Sequence, residues 1–158
     1  QSMNDDALEL LHRVFVGCKE DTAGKYAQYR FYAYVSSMYH KCEVIVNDTI
    51  PGVSGINHKV PVAVKNNGMY IAIAYNKATG NPVNAKETTR FYNMVDDIKK
   101  GDHGTMLADG IYGSSVGFRG DALVELETLS KSRTNDPENK LDFKTANFEN
   151  NIYSVSKL

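Results

Sequence analysis

Apolar residues recur along the chain with two different periods, and the changes of period divide it into elements. Asn4 followed by Asp5 and Asp6 is a capped, acidic helix start, and Leu8, Leu11, Val14 and Phe15 then repeat at helical spacing up to Gly17. This predicts a first helix over about residues 5–16. A second helix is predicted from about Thr22 to Lys41, with Ala27, Phe31, Tyr34, Val35 and Met38 on one stripe and Tyr26, Tyr29, Tyr32 and Tyr39 around it. Bases can stack on tyrosine rings, but packing at the core and its rim is the expected use of these.

The period then shortens to two. Glu43 to Asn47 reads as a strand, Pro51, Gly52, Ser54 and Gly55 as a tight loop, and Lys59 to Lys65 as a second strand with Val60, Val62 and Val64 on one face. Asn66, Asn67 and Gly68 form a hairpin turn, because asparagine and glycine tolerate the left-handed backbone that such turns need. Met69 to Tyr75 is apolar on both faces, the mark of a central strand. After a loop over Asn76 to Pro82, Asn84 with Glu87 three residues on is a capping box, opening a helix to about Lys100 that Gly101 and Gly104 end. Thr105 to Tyr112 is a fourth strand, Gly113 to Phe118 a loop, and Arg119 to Ser130 a helix carrying Ala122, Leu123, Leu126 and Leu129. Lys131 to Lys140 is polar and reads as a loop before a short last strand near Ile152 to Val155. There is no internal repeat, and this order predicts an α/β fold with a mixed sheet covered by helices on both faces.

Composition narrows the function classes. A chain of 158 residues is one domain's worth; Gln1 and Ser2 before Met3 read as a tag remnant, so a single domain is expected over residues 3–158. With 18 Lys and Arg against 19 Asp and Glu, the net charge is −1, so any nucleic-acid surface must be local. No apolar run approaches the roughly 20 residues that span a bilayer, and no secretory signal precedes the first helix, so a cytoplasmic protein without a membrane partner is expected. Cys18 and Cys42 have no Cys or His at zinc-ligand spacing and read as buried free thiols.

Three segments carry a family resemblance, spanning about residues 25–130. The first is Val46-Asn47-Asp48, then Pro51-Gly52-Val53-Ser54-Gly55 and His58-Lys59-Val60-Pro61-Val62. The second is the apolar strand Tyr70-Ile71-Ala72-Ile73-Ala74-Tyr75-Asn76, and the third is Gly110-Ile111-Tyr112-Gly113-Ser114-Ser115-Val116-Gly117-Phe118 with Asp121-Ala122. In this order, with a hairpin feeding a central strand and then a crossover helix and another strand, the chain resembles the PD-(D/E)XK nucleases, particularly their Mrr-like branch. The resemblance implies a restriction-endonuclease-like fold, three layers α/β/α around a central mixed sheet.

It departs from the family at the chemistry. The family's centre needs two carboxylates to hold a divalent cation against the scissile phosphate and a lysine to orient the attacking water. Those positions fall on Pro61, Ala74 and Asn76, none of which can replace its counterpart. The resemblance therefore implies an inactive pseudo-nuclease with no metal site and no cofactor, Mg or Mn being expected only if the centre is active. Asp48 and His58 are the possible survivors, with Asp97 and Asp102 as further substitutes for a relocated centre. Asp97-Ile98-Lys99 spells Asp-x-Lys, but near a helix end it reads as solvated surface, and an isolated His58 or His103 reads as polar surface.

Lys59, Lys65, Lys77, Lys86 and Arg90 cluster around the hairpin, the loop after the central strand and the start of the crossover helix, where the resemblance places the DNA-facing side. Ser114, Ser115 and the helix start at Arg119 offer further phosphate donors, or merely cap that helix. Three readings follow. One is an inactive nucleic-acid-binding module, binding DNA or serving as the silent partner of an active nuclease subunit. The others are a metal-dependent DNA endonuclease with a relocated centre and a protein-interaction scaffold, a homodimer being one form of it, for which an exposed apolar patch is the sign and the tyrosine-rich second helix the place to look.

Overall fold

In the computed structural model, which describes residues 22–133, 137–149 and 154–157, the stripe of Phe31 and Val35 becomes the fully buried face of helix α1 (Thr22–Met38). The helix expected over 5–16, Cys18, and Ile152 of the expected last strand lie outside the described residues. Tyr32 is buried and its hydroxyl donates to the Val44 carbonyl, and Tyr39 donates to Asp109 at 2.6 Å, so these tyrosines tie α1 to the sheet. Cys42 is a free thiol, half-buried beneath the same face.

Strands β1 (Glu43–Pro51), β2 (Asn57–Asn66) and β3 (Met69–Lys77) form an antiparallel meander. Asn67 and Gly68 both adopt the left-handed backbone, φ 53° and 77°, that closes the β2–β3 hairpin. Helix α2 (Ala85–Lys99) crosses over to β4 (Asp109–Ser114), which lies parallel to β3. Its capping box is formed: the Glu87 N–H donates to Asn84 Oδ1 at 3.0 Å and the Asn84 N–H to Glu87 Oε1 at 3.2 Å. Helix α3 (Gly120–Lys131) leads to β5 (Asp142–Asn147), parallel to β4, and β6 (Ser154–Lys157) pairs antiparallel to β5. The six strands stand in chain order, so the mixed α/β sheet expected from the periodicity is present.

Each face of that sheet has its own core. Phe31 and Val35 of α1 pack on Val62, Val64, Ala72, Ala74 and Ile111. On the other face, Phe91, Val95 and Ile98 of α2 and Ala122 and Leu126 of α3 cover Ile73, Tyr112 and Phe143. β3 is fully buried at Ala72, Ile73 and Ala74, as a central strand requires.

Two departures from the sequence reading matter. The fourth strand begins at Asp109 rather than Thr105, and β5 was not expected, because Asp, Lys, Ala and Asn are poor strand formers and only its parallel pairing to β4 and the burial of Phe143 and Ala146 make it one. The second departure bears on the site. Val46 opposes Val62 and Asp48 opposes Val60, but Asn47, at φ 54°, falls opposite Pro61 with no pairing between them. Proline has no N–H for the ladder. On the other side of β2 the ladder to β3 stops at Val62 opposite Ala74, and from Tyr75 to Lys77 β3 pairs with β4 alone. β2 and β3 therefore part at Pro61.

Candidate binding cleft

The parting of β2 from β3 opens a cleft of about 520 Å³, walled by the β1–β2 turn, by Tyr75 and Tyr112 of the sheet, and by one flank of α2. Asp97 organises its floor. Its carboxylate accepts from the Ser54 N–H at 3.0 Å, from the Ser54 hydroxyl at 2.6 Å, and from His58 Nε2 at 2.7 Å. Its carbonyl accepts from the Val53 N–H at 3.0 Å, so the whole turn is docked on the last turn of α2. The bonds from Ser54 and His58 hold the Asp97 carboxyl below its ordinary range, against the opposing effect of partial burial.

The sheet side supplies aromatic walls. Tyr75 meets Tyr112 edge to face at 5.4 Å between centroids, and Tyr112 meets Phe91 at 5.0 Å. Burial and the nearby Glu87 carboxylate push the Tyr112 hydroxyl up, keeping it a neutral phenol. Glu87 is held by Lys77 Nζ at 3.0 Å. From the α2 side Arg90 and Asn93 face the opening, and both are exposed.

The constellation lacks the bond that would make it a nucleophilic centre. The Ser54 hydroxyl donates to Asp97 and not to His58, so no base is paired with a nucleophile. The described residues contain no group of three or more His, Cys, Asp or Glu able to hold a metal ion. The cleft presents aromatic faces, a guanidinium, an amide and fixed carboxylates.

The sequence-derived positions scatter. Asp97 and His58, expected as solvated surface, are only 16% and 15% exposed at the side chain and bonded to each other, a correction that follows from the turn folding back across 39 residues of sequence. Lys99, in the same triplet and the last residue of α2, donates to the Thr105 and Leu107 carbonyls and ties the helix end to the segment that leads into β4. Asp48 accepts from the Tyr70 hydroxyl and, at 2.9 Å, from the Thr49 N–H, and takes no part in the cleft. Asp102 and His103 are exposed beyond α2.

Pro61 stands at the parting of the strands, half-buried, while Ala74 and Asn76 point to the opposite face of the sheet, beneath α1. There the Phe31 ring and Asn76 Oδ1 converge over Gly113, where an added Cβ would lie 2.5 and 2.8 Å from them. Asn76 is 2% exposed, and neither of its amide atoms has a hydrogen-bond partner among the described residues.

Among the cations, Lys77 is paired with Glu87, Arg119 with Asp121 at 3.3 Å, and Lys65 lies over the Tyr70 ring at 4.6 Å. Lys59 is exposed on β2. Ser114 is buried, donating to the Gly117 carbonyl and accepting from the Val116 N–H, so its hydroxyl closes the β4–α3 turn; the Ser115 N–H donates to the Lys77 carbonyl. Lys86 and Arg90 border a second depression of about 420 Å³ that continues from the cleft along α2, and Lys86 and Arg119 border a third at its start. Ser54, Tyr75 and Asn93 did not emerge from the sequence; an exposed tyrosine in an otherwise apolar central strand was the one available signal for them.

No family model and no curated protein matches the chain. Among described residues no helix is long and apolar enough to cross a membrane. Among solved structures the chain is similar to the crystal structure of AF1548, a protein of unknown function, at 14% identity and a TM-score of 0.50 over 78% of this chain. The chain spans 59% of the length of that protein, and the likeness is one of α/β fold alone.

Proposed function

We propose that this chain is a restriction-endonuclease-like protein without nuclease chemistry that binds nucleic acid along the exposed flank of α2. The fold reading is supported by the succession of α1, an antiparallel β1–β2–β3 meander, a crossover helix and a β4 parallel to β3. Loss of catalysis is supported by Ala74 and Asn76 being packed under Phe31, with no carboxylate at either position.

One observation carries the binding reading: Lys86, Arg90 and Arg119 border successive depressions along α2, and among the described residues neither Lys86 nor Arg90 is paired with a carboxylate. On a chain of net charge −1 these are the cations open to phosphate contact, in depressions that the carboxylates of Glu87, Asp97, Glu125 and Asp121 also line. Two or three phosphate contacts give a log–log salt slope of about −2 to −3 on duplex DNA.

The test is anisotropy of labelled duplex and single-stranded DNA over a salt series, with cleavage assays in magnesium and manganese. Salt-sensitive binding that Lys86→Ala and Arg90→Ala weaken, without cleavage, is the expected result. No binding at low salt refutes the reading. Cleavage favours the relocated centre instead, for which the meeting of His58 with Asp97 is the supporting observation.

A further inference from the structure

The cleft and its neighbouring depression differ in chemistry but share Arg90 and Asn93. The cleft is mostly apolar and aromatic. At about 520 Å³ it lies within the range of roughly 300–1,000 Å³ usual for small-molecule sites. The depression beside it is polar, bordered by Lys86, Thr89 and Arg90 of α2, with Glu125 of α3 on its opposite rim. A ligand filling both has a flat apolar part on one side and an anionic part about one turn of α2 away.

We infer that this composite site takes a single nucleotide, its base in the cleft and its phosphate on Arg90 and Lys86. Tyr75 is 38% exposed at the cleft wall, and its ring is held edge-on by Tyr112, which fixes a face for a base to stack on. Ile56, 58% exposed in the β1–β2 turn, supplies an apolar contact across the opening. The Asn93 amide presents both a donor and an acceptor to a base edge, and the Glu87 carboxylate an acceptor for an exocyclic amino group. The guanidinium of Arg90, between the two compartments, matches phosphate geometry.

The inference rests on the nucleic-acid reading of the α2 flank and deepens it: the nucleotide is one unstacked from a strand, or one free in solution.

The experiment titrates the full chain with adenosine 5′-monophosphate, adenosine and ribose 5-phosphate, following tyrosine resonances by NMR. Parallel anisotropy compares an intact duplex with one carrying a single unpaired nucleotide. The monophosphate is expected to bind at least about tenfold more tightly than either fragment, since stacking and phosphate contact act together. Tyr75→Ala should lower its affinity about tenfold, and Arg90→Ala, on an exposed helix face, should bring it level with adenosine. Preference for the unpaired-nucleotide duplex over the intact one assigns the source to a strand; monophosphate binding without that preference assigns it to free nucleotide. A monophosphate bound no better than ribose 5-phosphate, or equally well by Tyr75→Ala, overturns the inference. Salt-sensitive duplex binding that survives in that case leaves the α2 reading standing, whereas loss of both refutes both.

Discussion

Gly52 and Asp97 compete for the same space: a Cβ on Gly52 would lie 1.9 Å from Asp97 Oδ2. The carboxylate can reach Ser54 and His58 only because the turn presents a bare backbone at residue 52. Gly52 is therefore part of what shapes the cleft, although it makes no side-chain contact of its own.

Gly52→Ala should push the Asp97 side chain out of the turn. Its hydrogen bonds are then lost, costing about 1.5–3 kcal/mol, the scale of bonds to a charged group. In an Asp97→Ala background the same alanine meets nothing to displace. We expect the two substitutions to be strongly non-additive in urea unfolding, the double variant being little worse than Asp97→Ala alone. Additive costs would mean that the Gly52 requirement comes from elsewhere in the turn.

Acid should undo the same docking. Ser54 and His58 hold the Asp97 carboxyl below its ordinary value of 3.8. For a carboxylate with a depressed folded-state value, the stability contribution is complete above the unfolded value and is lost as pH falls through the folded one. The gap in unfolding midpoint between wild type and Asp97→Asn should be full at about pH 6 and shrink from about pH 4 downward. A gap constant across that range would show that the charge of Asp97 plays no part in holding the turn.

A second tether lies on the far side of α2. Arg133, just past α3, donates to Asp96, to the Tyr92 hydroxyl at 3.1 Å and to the Asn139 carbonyl at 3.0 Å. Burial alone would raise the Asp96 carboxyl, but its bonds to Arg133 and Lys100 prevail and hold it low. Arg133→Ala leaves Asp96 with only the exposed Lys100 and empties a mostly buried position. We expect a loss of about 2–3 kcal/mol, recovered little by Arg133→Lys, whose one nitrogen cannot stand at both the Nε and the Nη1 positions from which Arg133 donates. Recovery by lysine would reduce the tether to simple charge.

How far the sequence could foretell this follows from the range of each signal. The Asn84–Glu87 capping box and the Asn67–Gly68 hairpin are local, and both appear where their residues placed them. β5 has no comparable local signature: its strand character comes from pairing with β4, and Asp142–Asn147 carries too little apolar alternation to announce it. The His58–Asp97 pair was hidden for the same reason. Each residue alone resembles ordinary surface, and only the docking of a turn on a helix 39 residues later brings them together. Pro61 lay between these cases. The missing N–H could be read from the sequence, but the parting of β2 from β3 beside it needed the register of both ladders.

The remaining expectation concerns the position where the resemblance calls for a lysine. Asn76 is buried under Phe31 with neither amide atom bonded among the described residues, and burying an amide in that condition costs about 1–3 kcal/mol. Leucine has nearly the same shape and no polar atoms. Asn76→Leu should therefore stabilise the protein by about 1 kcal/mol, raising its urea midpoint while leaving nucleotide and DNA binding unchanged, because the side chain lies on the face of the sheet opposite Tyr75 and Arg90. Natural proteins retain such a cost chiefly where function requires the polar group. If Asn76→Leu were to destabilise the fold or weaken binding, the α1 face would be a working part of the molecule, and the proposal that binding belongs to the cleft on the other face would have to include it.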